Sequence, residues 1–151
     1  MDHERYMRRA VEIARDNPDA PFGCVIVNGS EIVAEGLNDA ERSPILHGEM
    51  AAIIDLMEAR PDIDRDGLVL YTTAEPCPMC AGAIYWCGIP RVVYGTSIET
   101  LRKYGWPQID IPCEEVFRRA SPGGPETMGG VLESDCDALF DEAAARMEGG
   151  S

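Results

Sequence analysis

Residues 68–87 read LVLYTTAEPCPMCAGAIYWC, and this stretch decides the fold. Its first part, Leu68 to Thr72, is a short, nearly continuous apolar run of the kind that forms a strand. Its second part, Pro76 to Cys87, reads as a helix, with Pro78 where a helix tolerates proline best. Working outward, Ile45 to Ala59 carries Met50, Ile53, Ile54 and Met57 as an apolar stripe that stops at Arg60-Pro61, a helix holding His47 and Glu49 in its first turn. Arg91 to Gly95 is a further strand. Upstream, Cys24–Val27 and Ile32–Glu35 join across Asn28-Gly29, a strong hairpin signal that predicts an antiparallel pair. Tyr6, Met7, Ala10, Val11, Ile13 and Ala14 recur at helical spacing until Asn17-Pro18-Asp19 ends the pattern. Strands alternating with helices predict an α/β layer architecture, with a largely parallel sheet beyond the hairpin.

The C-terminal third is less regular. Residues 104–130 are rich in Gly and Pro, and Ser121 to Gly130 reads as an exposed loop. A last helix is expected over Ser134 to Met147, packing through Leu139, Phe140 and Ala143. One domain over residues 1–148, with a flexible tail at 149–151, accommodates all of this.

The bulk numbers exclude several function classes. At 151 residues and 45% apolar content, the chain buries roughly 70% of its unfolded surface without help from disulfides. It shows neither an apolar export segment at its start nor a run of about 20 apolar residues, so a soluble cytoplasmic protein is expected. The Asn28-Gly29-Ser30 acceptor pattern is accordingly read as a plain turn. The six cysteines are then thiols or ligands. Cys24 lies in an apolar run and reads as core, while Cys87, Cys113 and Cys136 have no partner at ligand spacing. A net charge of −14, from 13 basic against 27 acidic residues, disfavours binding to polynucleotide phosphates. His3 sits in a charged terminus and is expected to be solvated.

Chemistry concentrates in His47-Gly48-Glu49 and Pro76-Cys77-Pro78-Met79-Cys80. One imidazole and two thiolates suit tetrahedral Zn²⁺, and three protein ligands instead of four mark a catalytic site over a structural one. Cys77 falls at a helix cap and Cys80 one turn on, so both sulfurs face one point near the positive end of the helix dipole. Two thiolates and a neutral imidazole cancel the ion's charge and leave it able to lower the pKa of a water molecule to about 7. Glu49, two residues from His47, is near enough to move that water's protons without ligating the metal.

These residues resemble the cytidine deaminase-like superfamily, whose H-x-E and P-C-x-x-C signature they match, over most of the span from Pro21-Phe22-Gly23 to Val92-Val93-Tyr94-Gly95. The resemblance implies a three-layer α/β/α fold with a five-stranded mixed sheet, one Zn²⁺ per chain, and hydrolytic release of ammonia from a small-molecule nucleobase or nucleoside. It also implies a homodimer. The stretch Glu75 to Trp86 looks most like bacterial guanine deaminases, making guanine to xanthine the favoured reaction. His47-Gly48-Glu49 and Gly88-Ile89-Pro90-Arg91 look like fungal-type cytosine deaminase. The segment from Gly129 to Phe140 is similar to tRNA adenosine deaminases, although Thr96 to Thr100 lacks that branch's basic RNA-holding loop. The resemblance assigns base recognition to Asn38 and the Gly48 backbone, and pocket walls to Phe22 and Trp86. It assigns contact with the leaving ammonia to the Glu75 carbonyl. The second acid that guanine and cytosine deaminases use to close the pocket has Asp110 as its nearest candidate.

Overall fold

The computed structural model describes residues 2–149. Its central element is β3 (Leu68–Ala74), buried at all seven positions. A strand enclosed on both faces needs apolar residues at consecutive positions, which is why this run does not alternate. The preceding elements are α1 (His3–Ala14), the hairpin β1 (Gly23–Asn28) and β2 (Glu31–Leu37), and α2 (Gly48–Ala59). After β3 come α3 (Pro78–Trp86), β4 (Arg91–Thr96), α4 (Ile98–Lys103), α5 (Cys113–Arg118), β5 (Glu126–Met128) and α6 (Glu133–Gly149). The sheet order is β2-β1-β3-β4-β5, with β1 antiparallel to both neighbours and β3, β4 and β5 parallel. Among the described residues, no helix is long and apolar enough to cross a membrane.

Two cores fill the two faces of this sheet. Ile26, Leu70 and Val92 pack under α2, α3 and α5 through Ile53, Leu56, Ile84 and Phe117. Val25, Val69, Tyr71 and Val93 turn the other way, against Met7, Ala10 and Val11 of α1 and Cys136 of α6. The fold is thus the α/β three-layer arrangement with a five-stranded mixed sheet. The six residues of α1 singled out by spacing are its six buried residues.

The structure departs from the sequence reading in several places. The hairpin loop is Gly29-Ser30, one residue later than expected, because Asn28 still pairs with Glu31 and Gly29 takes the left-handed φ of 66°. The stretch read as an exposed loop contains β5, whose short pattern of two exposed residues flanking a half-buried one gives no periodic signal; it forms because Glu126 to Met128 finds the open edge of β4. Helices α4 and α5, six residues each, were too short to show periodicity. His3 is not simply solvated: Nδ1 lies 2.8 Å from the Tyr71 hydroxyl, because α1 crosses the sheet and sets its first turn over β3. Helix α6 reaches Gly149, and the rest of the expected tail lies outside the described residues.

Candidate active site

The helices α2 and α3 begin alike. His47 caps α2 with φ −65° and ψ 163°, Cys77 caps α3 with φ −66° and ψ 167°, and neither uses its side chain on its own helix. Both side chains therefore face across the gap between the two helix ends. His47 Nδ1 lies 3.6 Å from Cys77 Sγ and 3.7 Å from Cys80 Sγ, and the three ligand atoms lie within 4.8 Å of one another. A tetrahedral zinc with bonds of about 2.3 Å to sulfur and about 2.0–2.1 Å to nitrogen sets its sulfur and nitrogen ligands about 3.6 Å apart. The residues fit that ion.

The charges in the metal-free site point the same way. Cys77 is held down at about 4, chiefly by a hydrogen bond from Cys80 and also by one from His47. Cys80 is pushed far above the usual thiol range, first because it gives its proton to Cys77 and then by burial. His47 is raised by its hydrogen bond to Cys77. The protons on Cys80 and His47 occupy directions that a divalent cation takes when it displaces them.

Glu49 lies in the first turn of α2 and is 3% exposed. Its Oε1 accepts a 2.7 Å hydrogen bond from Thr72 Oγ1 of β3, which also approaches the Ala74 carbonyl at 3.0 Å. Burial raises the Glu49 pKa, and the bond from Thr72 opposes that rise only in part. A buried carboxyl group whose pKa is raised holds a proton more readily than a solvated one, the property that general acid–base chemistry draws on.

Beside this cluster lies a cavity of about 320 Å³. Its wall includes Phe22, Asn38, His47, Glu49, Glu75, Cys77, Trp106 and Gln108, and no Lys or Arg. Phe22 is pinned where β1 begins: Thr73 Oγ1 donates to Pro21 O and accepts from Gly23 N, while Phe22 O accepts from Asn38 N. Asn38 is fixed through its backbone, its carbonyl also accepting from Asn17 Nδ2, so its amide remains available to the cavity. Phe22, Trp106 and Phe140 form an aromatic cluster with centroids 4.8–5.9 Å apart, and Trp106 Nε1 donates to Phe140 O.

Three of the expected residues are not among those that line this cavity. Trp86 is 81% exposed, packs edge-on against Tyr85 and is not on the wall, because it ends the nine-residue α3, about 13 Å from the capping Cys77. Asp110 is exposed and paired with Arg102 at 3.0 Å; the segment after α4 turns Gln108 inward and Asp110 back toward its own helix. Gly48 opens α2 between His47 and Glu49, and a Cβ there would come within 2.5 Å of Phe22 O, so the position is open only to glycine. Sequence reasoning missed Trp106 and Gln108. A tryptophan in an aperiodic Gly- and Pro-bounded segment was the available signal, since so large a ring needs a partner to cover it.

Residues 1–96 match the family model described as the cytidine and deoxycytidylate deaminase zinc-binding region. A guanine deaminase of Bacillus subtilis (strain 168) is 38% identical over 127 residues, 76% of this chain and 81% of that protein. A tRNA-specific adenosine deaminase of the same organism is 32% identical over 142 residues, 91% of this chain and 85% of that protein. The solved structure of a guanine deaminase from Nitrosomonas europaea superposes with a TM-score of 0.79 at 25% identity, covering 94% of this chain and 84% of that one. The matched region holds His47, Glu49, Cys77 and Cys80, the residues whose geometry fits zinc and proton transfer, and this chain belongs to the family of zinc-dependent hydrolytic deaminases.

Proposed function

We propose that the chain deaminates a free nucleobase, guanine to xanthine, with water as co-substrate and ammonia as second product. The observation that carries this reading is the cavity wall: two aromatic rings to stack on a planar base, two carboxamides, Asn38 and Gln108, to read its edges, and no cation to hold a phosphate. At about 320 Å³ it is at the small end of the range of about 300–1,000 Å³ for ligand pockets, suited to a base more than to a nucleotide. The likeness to two guanine deaminases favours guanine. In this reading Glu49 takes a proton from water and gives it to the ring nitrogen next to the attacked carbon, then takes the second proton from the new hydroxyl group and gives it to the departing amine. Zinc held by His47, Cys77 and Cys80 supplies the acidified water. The Glu75 carbonyl faces the leaving ammonia.

Ammonia release from a panel of guanine, cytosine, adenine and their nucleosides tests this. Turnover of guanine above the others is expected; turnover of cytosine or a nucleoside alone replaces the substrate, and no turnover by zinc-loaded protein overturns the reading. The tRNA-specific relative, which spans most of the chain, supports tRNA adenosine deamination as a second reading. Inosine formed in an anticodon stem-loop would establish it, against the net charge of −14. A homodimer belongs to the same proposal: Ile54 on α2 and Trp86 on α3 are large apolar side chains left exposed. Sedimentation at micromolar concentration reads it directly.

A further inference from the structure

Glu75 is on the cavity wall two residues before the ligand Cys77, and its side chain has partners of its own. It is 6% exposed. Oε1 accepts from Ile98 N at 2.9 Å and Oε2 accepts from Cys113 N at 2.8 Å, the amides that open α4 and α5. Neither amide has an acceptor within its own helix. The backbone of Glu75 is fixed as well, since its N–H donates to Thr96 O at 2.7 Å where β4 ends. One carboxylate thus ties together the helices on either side of residues 104–112, the segment that brings Trp106 and Gln108 to the cavity. Two residues further on comes Cys77.

We propose that Glu75 is a positioning residue that sets the placement of Trp106 and Gln108, and through them substrate affinity. A buried carboxylate with one charge-assisted bond to Cys113 N, where the segment ends, and one to Ile98 N, at the start of the six-residue helix from which the segment leaves, anchors both elements that flank it. Glutamine at this position has the same shape but only one accepting oxygen, so its NH2 group must face one of the two backbone N–H donors. One helix start then comes loose while the ligand loop keeps its sequence. The proposal rests on the cavity being the substrate site.

The test is Glu75→Gln in the full zinc-loaded chain. The expected result is zinc still bound at one per chain, KM for the base raised by about tenfold to a hundredfold with kcat changed much less, and faster hydrogen exchange at the Ile98 or Cys113 amide. An unchanged KM overturns the proposal, as does loss of zinc together with kcat, which would make Glu75 a support for the ligands alone. A second variant approaches the same bond from the donor side. Cys113→Pro removes the N–H at the first position of α5, where proline is tolerated, and Pro112 already has the extended ψ of 146° that a following proline requires. Its KM effect must be less than additive with that of Glu75→Gln; full additivity also overturns the proposal. If the parent chain turns over no base, the substrate reading fails separately, and the exchange measurement still decides whether Glu75 restrains the segment.

Discussion

Replacing Thr72 with valine removes the hydroxyl that Glu49 depends on while nearly conserving volume. Thr72 is fully buried and donates to Glu49 Oε1 at 2.7 Å. In the metal-free site Cys80 is the other side-chain group whose hydrogen bond favours the ionised carboxylate, and that thiol proton is lost once Cys80 binds a cation. Thr72 then carries the interaction. A hydrogen bond to a charged group contributes about 1.5–3 kcal/mol. At about 1.36 kcal/mol per factor of ten, Thr72→Val should lower kcat by up to about 10- to 150-fold, the full range applying where the bond holds Glu49 in the orientation that proton transfer requires and so is realised in the transition state. The pH profile carries a second signature. Glu49 must be ionised to take a proton from water, so activity falls as pH drops through its pKa. Burial already raises that pKa, and removing a donor that opposes the rise moves the acidic limb to higher pH. Ammonia release measured from pH 5 to 9 for the parent, Thr72→Val and Thr72→Ser reads both effects, with serine staying near the parent. If valine leaves kcat and the acidic limb unchanged, Thr72 does not tune Glu49.

Stripping zinc with a chelator should abolish deamination and lower thermal stability, and one equivalent of Zn²⁺ should restore both, read by ammonia release and differential scanning fluorimetry. In the stripped protein Cys77, held near 4 and half-buried, should be alkylated by iodoacetamide at nearly the same rate at pH 6 and pH 8. Zinc should block that reaction, and Cys24, Cys113 and Cys136 should stay unmodified until the chain unfolds, as peptide mass mapping will show. Gly36→Ala puts a methyl group into Gly48 O and Ala52 N of α2, backbone that has little room to move, and should cost about 1–3 kcal/mol in urea unfolding.

The catalytic half of the site was legible because local rules put it there. A strand of consecutive apolar residues, a proline in the first turn and a cysteine at the cap place Cys77 and Cys80, and the same cap geometry one element earlier places His47 and Glu49. Each of those signals spans fewer than ten residues. The substrate half was not legible for the opposite reason. Trp106 is fixed by Phe22 and Phe140, which lie 84 residues before and 34 residues after it, and no periodicity records such contacts. Trp86 stands off the cavity wall: a motif match transfers residue identity but not exposure. Asp110 misled because proximity in sequence to the pocket says nothing about which way a loop turns it, and Arg102 is what decides that.

This division has a physical consequence for how such a site changes. The ligands and Glu49 belong to or cap α2 and α3, whose buried faces pack into one core against the sheet, so substitutions there cost folding energy as well as activity. Residues 104–112 contribute few buried side chains, and their neighbouring helices are only six residues long. Glu75 and the Trp106 contact to Phe140 tie that segment to the rest of the fold. Under the proposed reading, substrate preference sits on the part of the chain least constrained by the core. Exchanging Gln108 for Glu or Asp should shift relative kcat/KM among bases while leaving zinc content and thermal stability close to the parent. Equal losses on every base would instead mean that Gln108 shapes the cavity without reading its occupant.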